Sequence, residues 1–255
     1  MQAGYFTDES MLRRVHRERA VALSGPRALL MQAAHPVAVR GLIAHSSAMD
    51  EPYERLARTA EVMSTIGFGT RADADRATAR VRGLHRRYKV DKPDLLLWVL
   101  FTLVDSGIVV YQLYVDKLSD EEQAAYWDDY KQVGRLFGLR DRDMPDTLED
   151  LREYKREMLS GDVLHVSDWA RRRAREIVLE PPVPLVAKPL LDTVNFITIA
   201  LLPDRIRREY GFSALPPAFV RRALVTGGAE YVRRAVIPLL PDRLRLVPSA
   251  RAAAA

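Results

Sequence analysis

An unbroken apolar run, LLLWVLFTLV at residues 95–104, constrains the fold of this chain more than any other feature. It ends at Asp105, well short of the roughly 20 apolar residues that a helix needs to span a bilayer. Side chains this apolar must be covered by protein, and a chain of 255 residues that is 48% hydrophobic can build a core large enough to cover them. The run therefore predicts a helix buried inside a globular protein, with no transmembrane segment.

Helical periodicity continues along almost the whole chain, whereas the alternating runs typical of β-strands are scarce. Thr70 followed by Asp73 predicts the capped start of the helix that carries His85. The Pro-rich stretch LEPPVPLVAKP at 179–189 is the best internal boundary. We expect an all-α, single-domain protein, with a helical core at residues 1–180 and a C-terminal helical extension at 181–255 packed on that core.

Charge and composition exclude several functional classes. Lys and Arg outnumber Asp and Glu by 39 to 34, but the two signs are interspersed, whereas nucleic-acid binding needs a concentrated basic face. There is no cysteine, which excludes disulfides, thiolate metal sites and cysteine nucleophiles. The first ten residues are polar and lack the apolar segment of a signal peptide, so a cytoplasmic location is expected.

The segment RVRGLHRRYK at 80–89 places one histidine among five cations. Nearby positive charges oppose protonation, so they are expected to lower the pKa of His85 and to keep its imidazole neutral, with a lone pair available to a metal. The predicted apolar stripe of this helix lies about 60° to one side of His85. Its members are Ala77, Val81, Leu84 and Tyr88. A histidine at such a boundary is equally typical of an ordinary hydrogen-bonded side chain.

The sequence RLART carries three polar side chains on one face of a predicted helix. Arg55, Arg58 and Thr59 follow the i, i+3, i+4 spacing that brings side chains together on a helix. Two guanidiniums and a hydroxyl could line a cofactor or substrate cavity, because arginine holds carboxylates through paired hydrogen bonds. A solvated cationic face gives the same pattern.

Residues 25–49 contain no Asp or Glu. Any general base within this stretch must therefore be an imidazole, from His35 or His45. Pro36 favours an extended backbone at His35 and so marks a bend. At this bend the imidazole could point inward, or it could only cap the chain.

Asp105 and Ser106 interrupt the most apolar helix, where a carboxylate needs a partner. Asp105 could accept the second ring N–H of a metal-bound imidazole, or it could form a buried ion pair with an arginine. Motifs of other catalytic classes are missing, among them GxSxG, HExxH, a P-loop, GxGxxG and the Glu-x-x-His pairs of two-metal bundles.

The order and spacing of several motifs resemble a known family. They are RALLMQAAHPVAVRGLIAHS, RLART, GFGT, VRGLHRRY, DLLLWVLFTLVDS, LSDEEQAAYW and LLPDRIRREYG, over roughly residues 10–212. The chain resembles the family that includes the MpaB oxygenase and the catalytic domain of the rubber oxygenase (latex clearing protein). This resemblance implies a globin-like all-α core that holds b-type haem, with His85 as the proximal iron ligand. It also implies that Arg55, Arg58 and Thr59 lie over the distal side of the haem.

Three positions depart from the pattern of the rubber oxygenases. Those enzymes have a lysine that can cap the iron where this chain has Arg58, which cannot deprotonate to become a ligand. Their carboxylate base upstream of RLART has no counterpart in the acid-free residues 25–49. The histidine of the WVH motif of close homologues is replaced by Leu100. Cleavage of a polymer is therefore not supported.

The resemblance predicts a haem b-dependent oxygenase or peroxygenase that acts on a hydrophobic small molecule with dioxygen or peroxide. Arg82, Lys89 and Arg55 would neutralise the haem propionates, and His35 or His45 would transfer protons. Two alternatives stay open. One is a non-catalytic haem-binding sensor or carrier, and the other is a cofactor-free helical binding module.

Overall fold

The computed structural model describes residues 3–39, 52–179, 188–212, 225 and 227–253, most of which are helical. The longer helices are α1 (Met11–His16), α2 (Ser24–Ala33), α3 (Pro52–Phe68), α4 (Arg71–Arg87), α5 (Pro93–Tyr114), α6 (Asp120–Phe137), α7 (Leu148–Ser160), α8 (Asp168–Leu179), α9 (Lys188–Leu201) and α10 (Asp204–Glu209). The C-terminal part adds α11 (Gly228–Tyr231), α12 (Asp242–Arg245) and α13 (Pro248–Ala253). Short 3₁₀-helical segments lie at Arg19–Leu23, Asp141–Asp143 and Ile237–Leu239, and a π-helical segment lies at Val232–Val236.

Within the described ranges there is no β-strand, which confirms the all-α prediction. The only extended pairing among them is an isolated antiparallel bridge between Glu18 and Leu246. The likeness to a globin stays a prediction.

Helix α5 forms the centre of the core, as its sequence predicts. Pro93 occupies the first turn, where its missing N–H leaves no hydrogen bond unmade, and Trp98, Phe101 and Val104 are fully buried. The Trp98 indole N–H also donates to the carbonyl of Met31 on α2, at 3.2 Å. Burial of each of these large apolar side chains stabilises the fold by about 1.5–3 kcal/mol. By length and composition α5 could also span a membrane, but most of its apolar stretch is buried inside the protein.

Local sequence sets the ends of the helices around α5. The Thr70 hydroxyl accepts the Asp73 N–H at 3.2 Å, which confirms the predicted start of α4. Helix α6 begins with a reciprocal capping box between Ser119 and Glu122. It ends at Gly138, whose φ of 101° is a left-handed conformation that favours glycine.

The C-terminal segment is tied to the N-terminal end of the chain through a buried carboxylate. Arg245 donates from Nε and Nη2 to the two oxygens of Glu18, at 2.8 and 2.9 Å, and Glu18 is almost completely buried. The Val247 N–H donates to the Arg17 carbonyl at 2.8 Å. Paired hydrogen bonds of this kind fix geometry as well as adding energy. A boundary at residues 180 and 181 stays a prediction.

Candidate functional site

His85 lies on the side of α4 that packs against the protein. The buried residues of α4 are Ala74 and Thr78, and at 100° per residue His85 lies within about 20° of each of them around the helix axis. The predicted apolar stripe is therefore wrong as a description of the buried face. None of its members is buried, and Leu84 is 42% exposed. The buried face is rotated toward His85, because α4 packs on α3 and α6 through small side chains.

The imidazole of His85 faces the C-terminal end of α6. Its ring centroid lies 6.5 Å from that of Phe137, with the planes tilted by 32°, and its Nδ1 atom is shielded from solvent. Arg82, one turn earlier, donates from Nη1 to the Leu136 carbonyl at 2.9 Å. The predicted cofactor-binding residues His85 and Arg82 thus approach the same helix end, whereas Arg55 has its side chain outside the described residues.

Lys89 holds an unusual backbone conformation just after α4. Its φ is 55°, the left-handed conformation that glycine usually occupies at a helix end. The Lys89 N–H donates to the Arg86 carbonyl at 3.1 Å and the Val90 N–H to the His85 carbonyl at 2.9 Å. These two bonds form a Schellman motif, which fixes the backbone of His85. A left-handed conformation costs a non-glycine residue about 1–2 kcal/mol, and such strain is concentrated at functional sites.

The described residues of RLART lie on the exposed first half of α3. Arg58 pairs with Glu54 one turn away, at 3.2 Å, and both side chains are more than half exposed. Thr59 is also exposed, whereas Met63 and Ile66 in the second half of α3 are buried. The geometry favours the solvated cationic face over a cavity lining for Arg58 and Thr59. Their catalytic role stays a prediction.

His35 is buried at the bend after α2, and its Nδ1 accepts the Val37 N–H at 3.2 Å. This bond caps the helical turn that begins at Pro36, as one of the two alternatives predicts. A ring nitrogen that accepts a backbone N–H cannot accept a substrate proton as well, and the neutral ring then carries its own proton on Nε2. His45, the other predicted base, lies outside the described residues.

Both carboxylate oxygens of Asp105 pair with cations, which favours the buried ion pair over a bond to a metal-bound imidazole. Arg27 Nη2 lies 2.7 Å from one carboxylate oxygen and Lys155 Nζ lies 2.5 Å from the other. Arg27 is buried and also donates to the Ser106 hydroxyl and the Leu201 carbonyl. Burial alone would raise the pKa of Asp105, but attraction by Arg27 and then Lys155 outweighs burial and lowers that pKa. The alternative of an arginine partner is confirmed.

Sequence reasoning missed a cluster formed by His16, Tyr126 and Tyr130, which we call the His16 triad. The Nε2 atom of His16 lies 3.0 Å from the Tyr126 hydroxyl and 2.9 Å from the Tyr130 hydroxyl. The only sequence signal is the i, i+4 spacing in YWDDY, which places the two phenols on one face of α6. Their partner comes from α1, more than 100 residues earlier.

Among the residues that the structure describes, no group of three or more His, Asp or Glu side chains could hold a metal ion. A lone imidazole such as His85 would fit an iron whose remaining ligands come mainly from a macrocycle.

Fold and site together define an all-α protein with a half-buried imidazole, that of His85, next to cationic side chains. The chain belongs to the family described as ER-bound oxygenase mpaB/B'/Rubber oxygenase, catalytic domain, whose model matches residues 13–236. This membership confirms the resemblance seen in the sequence and supports an oxygenase-type function, which implies a small-molecule substrate and oxygen. Searches of the curated proteins and of the solved structures found no significant match.

Proposed function

We propose that this protein is a haem b-dependent oxygenase or peroxygenase that oxidises a hydrophobic small molecule, with His85 as the proximal iron ligand. The observation that carries the proposal is the position of His85. It is half-buried on the same side of α4 as the buried residues Ala74 and Thr78, its Nδ1 atom is shielded from water, and its backbone is fixed by the turn at Lys89. A neutral imidazole held in this way can donate its lone pair to iron without a large loss of side-chain entropy.

The surface beside His85 fits a large apolar group with acidic arms. Ala77, Val81 and Leu84 form an apolar stripe on α4 that the protein leaves partly exposed. Covering such a stripe with a porphyrin would remove apolar surface from water, at about 25 cal/mol per Å². Arg82 and Lys89 would neutralise the two propionates.

Each residue would then have one task. When bound, the haem would supply the oxygen chemistry, and the protein would control access, orientation and proton supply. His85 would hold the iron, and Arg82 would stay anchored to the end of α6 through the Leu136 carbonyl. Arg55, Arg58 and Thr59 would serve the distal side, for which Arg58 must leave its surface pair with Glu54. Proton transfer would be the task of His45, or of His35 once its Nδ1 releases the Val37 N–H.

Replacement of His85 by alanine tests the proposal. The purified 255-residue chain supplied with haem is expected to show a Soret band. In His85→Ala that band should weaken or shift, with at least about a tenfold loss of haem affinity, as removal of an axial ligand costs 1.4 kcal/mol or more. Added imidazole should restore the spectrum. His165→Ala, which removes a largely exposed histidine, is the matched control and should leave the band unchanged.

A wild-type chain without a Soret band would reject haem binding and favour the cofactor-free binding module. A band that is identical in His85→Ala would reject His85 as the ligand. Bound haem that stays inert toward both dioxygen and peroxide would instead identify a sensor or carrier.

Lys89→Gly separates the charge of this residue from its backbone role. Glycine adopts the left-handed turn without strain, so the free energy of unfolding of the apo-protein should stay within about 1 kcal/mol of wild type. Haem dissociation should become several-fold faster, because one propionate loses a cation. Stopped-flow transfer of haem to an acceptor globin measures this rate.

Lys117→Ala is the control for the overall change in charge. Lys117 is exposed near the N-terminal end of α6, an 18-residue helix whose other end, about 27 Å away, faces His85. Equal effects of the two variants would contradict the role of Lys89.

A further inference from the structure

The His16 triad brings one imidazole nitrogen to two buried phenols. His16 is the last residue of α1, and Tyr126 and Tyr130 are one turn apart on α6. The two phenol rings meet edge to face with centroids 4.9 Å apart, and both tyrosines are almost completely buried. Gly107 of α5 closes the site, since a Cβ atom at that position would lie 2.6 Å from the Tyr126 hydroxyl.

Burial sets the protonation of the triad at rest. Removal from water lowers the pKa of His16 to about 4, so the imidazole is neutral at physiological pH. Burial also raises the pKa of Tyr126 well above its usual value of 10 and raises that of Tyr130. The nearby carboxylate of Asp129 adds to the effect on Tyr126 and itself accepts the Leu12 N–H at 2.8 Å. The triad at rest therefore contains two neutral phenols and a neutral base.

We propose that the His16 triad is a proton-coupled redox site, in which a phenol gives an electron to a metal-centred one-electron oxidant and its proton to Nε2 of His16. The phenolic O–H bond breaks and an N–H bond forms, which leaves a neutral tyrosyl radical and an imidazolium. When an electron returns to the phenoxyl oxygen, the proton returns from Nε2 and the phenol is restored. Charge is conserved, since the oxidant gains the electron that the tyrosine loses.

The imidazole lowers the free-energy cost of oxidising these phenols. A buried phenol that lost only an electron would become a radical cation in a low-dielectric site, which is costly. A base at hydrogen-bond distance removes the proton as the electron leaves. An oxidised phenol is far more acidic than an imidazolium, so His16 accepts the proton despite its lowered pKa.

The role of this site in the cell rests on the proposed function. An oxygenase that is activated without substrate retains an oxidising equivalent, and an electron from the triad would quench it before it damaged other side chains. The redox chemistry of the triad itself does not depend on bound haem. It is tested with an external oxidant, so failure of the haem proposal and failure of this one are distinguishable.

Photo-oxidation of the 255-residue chain tests the proposal. Flash excitation of tris(bipyridine)ruthenium with persulfate generates the oxidant, and freeze-quench electron paramagnetic resonance detects tyrosyl radicals. We expect a long-lived tyrosyl signal in the wild type that is lost in Tyr126→Phe/Tyr130→Phe. In His16→Gln the amide can still accept a hydrogen bond but is not a base. Oxidation of the triad should then be about 100-fold slower, since a positioned base accelerates proton transfer by at least that factor.

Controls separate the triad from the other tyrosines. Tyr231→Phe removes a tyrosine that is 67% exposed and should leave the long-lived signal unchanged. Gly107→Ala should displace the Tyr126 hydroxyl and reduce the signal without touching any member of the triad. The wild type alone should show slower radical formation in D₂O, which needs no variant to fold. Equal signals in wild type, His16→Gln and Tyr126→Phe/Tyr130→Phe, or no effect of D₂O, would overturn the proposal.

Discussion

Asp105→Asn is expected to lower the free energy of unfolding by about 3–5 kcal/mol, the cost of removing one partner from a buried ion pair. The variant keeps the shape of the side chain and removes its charge. Arg27, whose side chain is only 3% exposed, would then remain buried without a counter-charge. Lys155 is 35% exposed and can turn toward water, so most of the loss comes from Arg27. Chemical denaturation measures the difference at neutral pH.

An exposed ion pair with the same nitrogen–oxygen distance as Arg27–Asp105 isolates the contribution of burial. Arg135 and Asp141 are also 2.7 Å apart, but their side chains are 44% and 72% exposed. Asp141→Asn should cost only a small fraction of the loss in Asp105→Asn, because solvent screens exposed pairs. Equal losses in the two variants would contradict the buried network.

Two further observations follow from the same network. Arg27→Met/Asp105→Leu should recover much of the stability lost in Asp105→Asn, since apolar side chains of similar volume often replace a buried ion pair at little cost. The lowered pKa of Asp105 means that the folded state favours the carboxylate. Its contribution to stability is complete above the unfolded pKa of about 4 and is lost as pH falls through the lower folded pKa. The deficit of Asp105→Asn should therefore shrink at strongly acidic pH.

The second large effect is a pH dependence of stability that arises at His16. Its pKa is about 4 in the folded protein and about 6.5 in the unfolded chain. Between these values the unfolded chain binds a proton that the folded protein does not, so stability falls as pH falls from 6.5 to 4. The full difference corresponds to about 3 kcal/mol. Urea unfolding of wild type and His16→Gln at several pH values across this range measures it.

The contribution of His16 is the difference between the pH dependence of the unfolding free energy in wild type and that in His16→Gln, because carboxylates titrate in both proteins. His16→Gln should lose about 3 kcal/mol less than the wild type between pH 6.5 and 4. Tyr126→Phe keeps the imidazole and should keep the steeper pH dependence, whatever its stability at neutral pH. Parallel curves for wild type and His16→Gln would show that the imidazole is not removed from water.

The sequence predicted what depends on neighbours along the chain. Residues 95–104 predicted a buried helix because such apolar side chains are stabilised by packing inside the core of a folded protein. Thr70 predicted the start of α4, since its hydroxyl needs only the N–H three residues later. The family resemblance rested on the order of such local motifs, and the family match confirmed it. His85 stood out because of its charged neighbours.

Predictions that required the identity of a distant neighbour were incomplete or wrong. Regular spacing assigned Ala77, Val81 and Leu84 to the buried face of α4, but the face that packs is set by α3 and α6 and lies toward His85. The same spacing placed Arg58 and Thr59 on one face without showing that this face is exposed. Periodicity defines a face of a helix, and only the packed neighbours decide what covers it.

By itself, then, the sequence determined an all-α protein with a buried central helix and a family of oxygenases. Helix formation, capping and apolar periodicity are local properties, so they can be read within one or two turns. Only the tertiary structure decided that Asp105 pairs with Arg27 and Lys155, and that His16 reaches two phenols on α6. These contacts join residues 50 to 114 positions apart. They exist because packing of the apolar core fixes which helices are adjacent, and no local pattern encodes that choice.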